Sequence, residues 1–296
     1  MTAMTRPSEV GSLLSASIRE ATRKAIGNSN ISAYAEKDPP ISWNSISQAG
    51  WDTAGTSDDG DGLSTRDLVE IAQAWGETCI PLPLIPTILA KRYSKSAANH
   101  SGPITFSVGT RTQESGQGLS PFGSHPGINL IKDFTNPNDA LLIDVHGSRD
   151  GFAETLRLAK LPIQTTFSQP IADELAAVWA GEASGIARRV LRDSVDYAKN
   201  RYQFGKPIGS FQAVKHHLAN AHVAVEFAET AAIWASLETK NAERASFHGL
   251  DQSIRAIELA IQVHGGMGFT WEMGLHFYLR HVQALRELLQ GIYASL

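Results

Sequence analysis

One segment of the sequence carries residue types that could bind a phosphorylated cofactor. Residues 201–212 place a guanidinium at Arg201, an aromatic ring at Phe204 and a side-chain amide at Gln212, with two glycines between them. Arginine suits a diphosphate because its planar guanidinium donates two parallel hydrogen bonds to anionic oxygens. The pattern therefore predicts a diphosphate-binding connection, although an ion pair between Arg201 and a neighbouring carboxylate would explain the arginine equally well.

A second segment, residues 262–272, combines Gln262 with the consecutive glycines Gly265 and Gly266. Because glycine has no Cβ, a flat cofactor or its phosphates can approach the backbone closely at such a place. Glycines are also a common way to end a helix. Residue types alone leave both interpretations open.

These segments lie among amphipathic helices. Apolar residues at 3.6-residue spacing predict four helices, over residues 183–199, 210–237, 253–263 and 277–293. Long helices with short connections are typical of an up-and-down bundle. Residues 171–296 are thus predicted to form a C-terminal four-helix bundle that holds both segments.

Residues 1–100 are predicted to form an N-terminal helical domain. Apolar spacing predicts a helix over residues 12–26, and Ser64 with Asp67 resembles a capping box that starts a helix running toward Thr78. That helix is expected to end at the prolines that follow it, because each lacks a backbone N–H: Pro81, Pro83 and Pro86.

Residues 101–170 differ from the helical parts of the chain. The runs at residues 104–108 and 140–145 predict strands bounded by turns, and hence a short, antiparallel β-containing middle region. The fold class expected for the whole chain is mainly α.

Composition limits the classes of function. The net charge of −4 gives no reason to expect nucleic acid or an anionic membrane as partner, and no apolar run approaches the ~20 residues that span a bilayer. A single cysteine, Cys79, excludes an internal disulfide framework and is expected to be a small buried hydrophobe. The acidic loop at residues 56–62 lacks the ligand spacing of a calcium site, so no metal is expected. We see no secretion signal at the N-terminus and expect a cytoplasmic protein.

The motif Arg201-x-x-Phe-Gly-x-x-Ile-x-x-x-Gln212, followed by Gln262-x-x-Gly-Gly-x-Gly-Phe, resembles the C-terminal domain of the acyl-CoA dehydrogenase family. The resemblance runs from about residue 185 to residue 280, and residues 51–86 resemble the family's N-terminal helical domain more weakly. It implies that FAD lies extended across a subunit interface. It also implies cofactor contacts by six residues: Arg201, Phe204, Gln212, Gln262, Gly265 and Gly266.

The resemblance implies α,β-desaturation of an acyl-CoA, in which a carboxylate removes the α-proton. In many family members this base is a glutamate nine residues after the arginine that matches Arg280. Here that position is Leu289, which cannot accept a proton. Glu287 would point about 200° away from it on a helix. Other members place the base on the first bundle helix, and Glu174 lies one position from that place; an exposed helix glutamate is the alternative interpretation.

Residues 101–169 also lack the Thr-Glu-Pro-Gly-x-Gly-Ser-like segment with which family members hold the isoalloxazine ring and the acyl thioester. With both features missing, the chain resembles the shorter subunit of heteromeric α2β2 acyl-CoA dehydrogenases of steroid side-chain degradation, particularly over residues 268–280. The resemblance implies a second, longer acyl-CoA dehydrogenase-like subunit as partner. It also implies an acyl-CoA substrate and an electron-transfer acceptor.

Two alternatives stay open. The chain could be a complete homomeric dehydrogenase that uses an unusual base such as Glu174. It could also be a helical scaffold derived from this fold that binds no flavin. Arg201, Gln212 and the Gly265–Gly266 pair disfavour the scaffold, because a scaffold has no physical need for all of them.

Overall fold

The structure is a computed structural model, and it describes residues 5–56, 62–109, 117–135, 142–145, 147–149 and 151–296. The described part is mainly helical, which confirms the predicted fold class. Most of the acidic loop, residues 57–61, lies outside the described residues. The N-terminal helices are α1 (Glu9–Ile26), α2 (Trp43–Gln48), α3 (Thr65–Gly76), α4 (Leu84–Tyr93) and α5 (Lys95–Ala98).

The capping box that starts α3 is confirmed. The Ser64 side chain accepts a hydrogen bond from the Asp67 backbone N–H, and the Asp67 carboxylate accepts one from the Ser64 backbone N–H. Helix α3 ends at Gly76, slightly earlier than predicted. Pro81 and Pro83 lie between α3 and α4, whereas Pro86 lies in the first turn of α4, where its missing N–H leaves no hydrogen bond unmade.

The described part of the middle region forms two small sheets. In the first, β1 (Ile104–Thr105) pairs in parallel with β3 (Asn129–Ile131), which pairs antiparallel with β4 (Leu142–Asp144). In the second, β6 (Ala159–Leu161) lies between β2 (Gly118–Ser120) and β5 (Ser148–Arg149), antiparallel to both. The region is therefore mixed and not purely antiparallel as predicted. The exception is the parallel β1–β3 pair, which the long connection between these two strands allows. The predicted strand at residues 140–145 is reduced to β4, and residues 140 and 141 lie outside the described part.

The C-terminal bundle consists of α6 (Gln169–Asn200), α7 (Gln212–Leu237), α8 (Ala242–His264) and α9 (Leu275–Ala294). A two-stranded hairpin, β7 (Tyr202–Gln203) and β8 (Lys206–Pro207), connects α6 to α7. All four predicted helices are present. Helices α6 and α8 begin 14 and 11 residues earlier than their predicted starts at residues 183 and 253.

Helix α6 packs against α3 with almost no space between the two backbones. A Cβ on Gly76 would overlap the backbone oxygen of Glu182, and a Cβ on Gly185 would overlap that of Gln73. The amide of Gln73 donates a hydrogen bond of 3.0 Å to the Ser184 hydroxyl across this contact. The N-terminal helices are thereby fixed to the bundle.

A buried polar network joins all three regions at His281 of α9. Its Nδ1 lies 2.8 Å from the Thr155 hydroxyl and 3.2 Å from the Cys79 Sγ, and its Nε2 lies 3.2 Å from the Glu182 carboxylate. Cys79 is buried as expected, but it is more than a hydrophobe because it contacts the imidazole. Burial opposes the charged imidazolium, but Cys79 and Glu182 outweigh this effect and raise the pKa of His281 to about 10.

This network predicts a pH-dependent stability. The pKa of His281 is about 6.5 in the unfolded chain and higher in the folded one, so its ion pair with Glu182 stabilises the fold fully below about pH 6.5 and is lost as the pH rises through about 10. At pH 6.5, Glu182→Gln is expected to lower the free energy of unfolding by about 3–5 kcal/mol relative to wild type. In urea titrations this difference should shrink steadily toward pH 10.

The matched control is Asp251→Asn, which removes the exposed ion pair between Asp251 and Arg286. Because this pair is exposed to solvent, the effect of Asp251→Asn should be small at both pH values. A Glu182→Gln effect that does not change with pH would show that His281 is neutral in the folded protein.

Candidate functional site

The two motif segments lie at the same end of the bundle. Tyr197, in the last turn of α6, stacks on His264, the last residue of α8, with ring centroids 4.2 Å apart and planes inclined by 22°. Arg201 caps α6 through a hydrogen bond of 2.9 Å from its backbone N–H to the Tyr197 carbonyl. Gly265 follows His264 directly. The stack therefore places Arg201 and Gly265 on one surface, here called the bundle end, defined by residues 201–212 and 262–271.

Tyr197 was missed in the sequence. Its signal was its position one helical turn before Arg201, which points it along the same side of α6. His264 is buried against Tyr197, and burial lowers its pKa, so the imidazole is neutral near pH 7. Its role in the described structure is that of a packed histidine.

The hairpin after α6 presents an aromatic ring to solvent. Phe204 and Gly205 form its two-residue loop with φ values of +53° and +78°, the left-handed region that such tight hairpins require. This conformation is unfavourable for phenylalanine, and the Phe204 residue is 91% exposed. The ring lies edge-on to that of Phe211, with centroids 6.1 Å apart, and its remaining surface is available to a ligand or to another chain.

The N-terminus of α7 lies directly after this hairpin and is suited to an anion. Gln212 is the first residue of the 26-residue helix, and no side chain caps its free backbone N–H groups. Those N–H groups and the helix dipole favour negative charge. The guanidinium of Arg201 is exposed, and no carboxylate among the described residues forms an ion pair with it. The ion-pair interpretation of Arg201 is thus not supported by the described part of the chain.

In the second motif segment, residues 262–272, the backbone at the two consecutive glycines is accessible from outside the chain. Gly265, with φ of +58°, ends α8 by donating its N–H to the Gln262 carbonyl, so the helix-ending interpretation is correct for this residue. A Cβ on Gly265 or Gly266 would meet no atom within 4 Å. The packing of this chain therefore gives no reason for glycine at residue 266, whereas close approach of a ligand does.

Leu289, the position of the usual base, is fully buried in the core on α9. Two residues along, a Cβ on Gly291 would overlap the backbone oxygen of Gly109, so this stretch of α9 is closely covered on that side as well. Glu287 points to solvent, with its side chain 60% exposed and 3.6 Å from Arg286. Leu289 offers no proton acceptor, and the Glu287 carboxylate lies at an open surface pocket beside Arg286 and not in the core next to Leu289.

Glu174 is buried, so the alternative interpretation as an exposed helix glutamate was wrong. Its carboxylate accepts hydrogen bonds from the Thr65 hydroxyl at 2.6 Å and the Tyr93 hydroxyl at 2.5 Å, and it forms an ion pair of 3.0 Å with Arg92. Burial, and then the Glu174 carboxylate, raise the pKa of the Tyr93 hydroxyl. These contacts tie α6 to α3 and α4, which is a structural use of the carboxylate.

The space between the middle region and α6 is filled by aromatic rings. Phe106 lies 6.2 Å from Phe134, 5.4 Å from Phe167 and 5.7 Å from Trp179, measured between ring centroids.

Among the described residues, no three His, Cys, Asp or Glu side chains lie close enough to hold a metal ion. None of the described helices is both long and apolar enough to cross a membrane.

Comparison with known proteins identifies the family. The profile "Acyl-CoA dehydrogenase, C-terminal domain" matches residues 173–289. Acyl-CoA dehydrogenase IpdE2 of Mycobacterium tuberculosis (strain ATCC 25618 / H37Rv) is 30% identical over 253 residues, which are 78% of this chain and 76% of that protein. The chain belongs to the acyl-CoA dehydrogenase family of oxidoreductases. FAD is the cofactor of this family.

Solved structures share the fold at low identity. One chain of the ChsE4–ChsE5 complex from Mycobacterium tuberculosis superposes with a TM-score of 0.80 and 16% identity, covering 98% of this chain and 96% of that one. A variant of the Tcur3481–Tcur3483 steroid ACAD gives a TM-score of 0.76 and 17% identity, covering 97% and 95%.

The burial of Leu289 yields a direct prediction. Leu289→Glu should destabilise the chain by about 4 kcal/mol or more and should not create a base, because it places an unpaired carboxylate in the core. Chemical denaturation measures the loss, and Glu287→Gln, two residues away on the exposed side, should change stability by less than about 0.5 kcal/mol. A Leu289→Glu protein as stable as wild type would show that this position reaches solvent.

Proposed function

We propose that this chain is the half-site subunit of a heteromeric FAD-dependent acyl-CoA dehydrogenase. The bundle end contributes contacts to the diphosphate and adenosine parts of FAD. A second, longer acyl-CoA dehydrogenase-like subunit contributes the isoalloxazine site and the catalytic base. The reaction of the complex is α,β-desaturation of an acyl-CoA, with the electrons passed to an external acceptor.

The observation that carries the proposal is the contrast between two places in the chain. At the bundle end, Arg201, Phe204 and Gln212 are exposed, although burial of an aromatic ring would be favourable. At the position of the usual base, Leu289 is packed into the core. A chain that offers a nucleotide-binding surface without a proton acceptor fits one half of a shared site.

Each residue of the bundle end has a physical role in this proposal. Arg201 neutralises diphosphate charge through bidentate hydrogen bonds, and the free N–H groups of α7 add to it. Phe204 offers its ring face to the adenine. Gly265 and Gly266 leave the backbone open, and Gln262 and Gln212 supply amide hydrogen bonds. When bound, FAD supplies the acceptor for the hydride that leaves the substrate.

The substrate class follows from two of the compared proteins and from the sequence resemblance. A structural neighbour is described as a steroid ACAD, and both structural neighbours are chains of two-component assemblies. Residues 268–280 resemble the same subgroup. We therefore propose a steroid side-chain CoA thioester as the substrate.

The homomeric alternative needs Glu174 as the base. The contacts of Glu174 disfavour this role, since both of its carboxylate oxygens are already bound, one to the Thr65 hydroxyl and the other to Tyr93 and Arg92. The flavin-free scaffold leaves the strained, exposed Phe204 and the uncapped α7 without a purpose.

Flavin content tests the shared site. The chain expressed alone should be colourless or poorly flavinated, and co-expression with its partner should give a yellow, active complex. In the complex, Arg201→Ala should weaken FAD retention by ~1.5–3 kcal/mol, the effect of losing a hydrogen bond to a charged group. Flavin absorbance after dialysis measures this.

Arg255→Ala is the matched control, because Arg255 is an exposed arginine of α8 outside both motif segments and should leave flavin content unchanged. Yellow, fully active protein from this chain alone would remove the half-site proposal. Equal flavin retention in the Arg201→Ala and Arg255→Ala complexes would place the diphosphate elsewhere.

The origin of the base is tested at Glu174. In the complex, Glu174→Gln should leave turnover per bound flavin within a few-fold of wild type and leave the pH–rate profile unmoved, because the partner supplies the base. Thermal stability should fall, since Arg92 loses its buried partner. A collapse of turnover with flavin still bound would move the base into this chain.

A further inference from the structure

His264, the last residue of α8, carries one unused hydrogen-bonding atom at the bundle end. Its imidazole is 5% exposed and lies between the two motif segments, because it stacks on Tyr197 and is followed by Gly265. The Nδ1 atom lies 2.8 Å from the Ala260 carbonyl oxygen. In the described part of the chain, the other ring nitrogen, Nε2, has no hydrogen-bond partner.

The contact with Ala260 fixes which ring nitrogen of His264 carries the proton. A carbonyl oxygen only accepts hydrogen bonds, so Nδ1 donates its N–H to Ala260. Burial lowers the pKa of His264, so near pH 7 the ring is neutral and carries a single proton. The Nε2 atom therefore keeps its lone pair, and it can only accept a hydrogen bond.

This lone pair is not enclosed by the chain. Some side-chain nitrogens among the described residues are fully buried without a partner, and Nε2 of His264 is not one of them. The two glycines that follow, Gly265 and Gly266, leave open space, since a Cβ on either would meet no atom within 4 Å. A nearly buried histidine thus presents a free acceptor where the surface of the bundle end is open.

A free acceptor selects one part of FAD over the others. The diphosphate oxygens carry no proton near pH 7, so they only accept hydrogen bonds, and the lone pair repels them. In the proposed shared site, the isoalloxazine ring is held by the other subunit. The adenosine part has the remaining donors, which are the amine of adenine and the hydroxyls of ribose.

We propose that His264 binds the adenosine part of FAD, with Nε2 accepting a hydrogen bond from an N–H or O–H donor of that group. This inference rests on the proposed shared flavin site and adds a cofactor contact to it. Tyr197 is then a positioning residue. Its ring, with centroid 4.2 Å from that of the imidazole and plane inclined by 22°, sets the direction of the lone pair.

Two substitutions of His264 separate hydrogen bonding from packing. His264→Phe keeps a flat ring against Tyr197 but removes the acceptor, whereas His264→Gln loses the ring and can place an amide oxygen near the Nε2 position. In the flavin-free complex with the longer subunit, His264→Phe should weaken FAD binding about 10-fold, because a ligand donor is left unpaired, and His264→Gln should stay within about 3-fold of wild type. Flavin fluorescence titration measures both. A histidine that only packs gives the reverse order, and that order overturns the proposal.

The matched control is His248→Phe, the same exchange at an exposed residue of α8 outside both motif segments, which should leave FAD affinity unchanged. Thermal melting establishes that each variant is folded. Arg201→Ala reports on the shared site itself. Weaker FAD binding in Arg201→Ala with wild-type affinity in His264→Phe removes the role of His264 alone. Wild-type affinity in both variants removes the shared site as well.

Flavin analogues identify the donor in the wild-type complex. Flavin hypoxanthine dinucleotide has a carbonyl oxygen in place of the adenine amine. If the amine is the donor, wild type should bind this analogue about 10-fold more weakly than FAD, and His264→Phe should bind the two equally. If a ribose hydroxyl is the donor, the same pattern should appear with an analogue that contains dideoxyribose. Wild-type affinity for both analogues overturns the proposal.

Discussion

Helix α6 is held on three sides at once, and the rest of the structure depends on this constraint. Glycines let α3 approach it to backbone contact, Glu182 binds the buried imidazole of His281, and Trp179 fills the space below the middle region. These contacts lie in the first half of α6, and because the helix is continuous they also set the position of its last turn. That turn carries Tyr197 and Arg201, so core packing sets the position of the bundle end.

The same constraint explains which parts of the fold the sequence predicts. Periodicity found the second half of α6 but missed residues 169–182, because that stretch is buried on nearly every face and has no apolar stripe to recognise. The parallel β1–β3 pair was not predicted, because a pairing between segments distant in sequence leaves no local pattern. Helix α4 was missed because prolines at a first turn look like a helix end.

The candidate site also has a part that the sequence indicates and a part that depends on the fold. At the bundle end, residue types and the family resemblance name candidate cofactor contacts, and these candidates stay predictions. The burial of Glu174 could not, since Tyr93 and Arg92 are about 80 residues away in sequence and only the fold brings them to the carboxylate. Sequence shows which groups a chain has; packing decides which of them are already bound to one another.

Exposed aromatic residues in two places constrain the assembly. Phe204 and Phe269 stand at the bundle end, and Phe227 and Trp234 stand on the side of α7. Burial of an aromatic ring is favourable, so the exposed rings at both places are available to groups outside this chain. The proposed shared flavin site accounts for the rings at the bundle end alone.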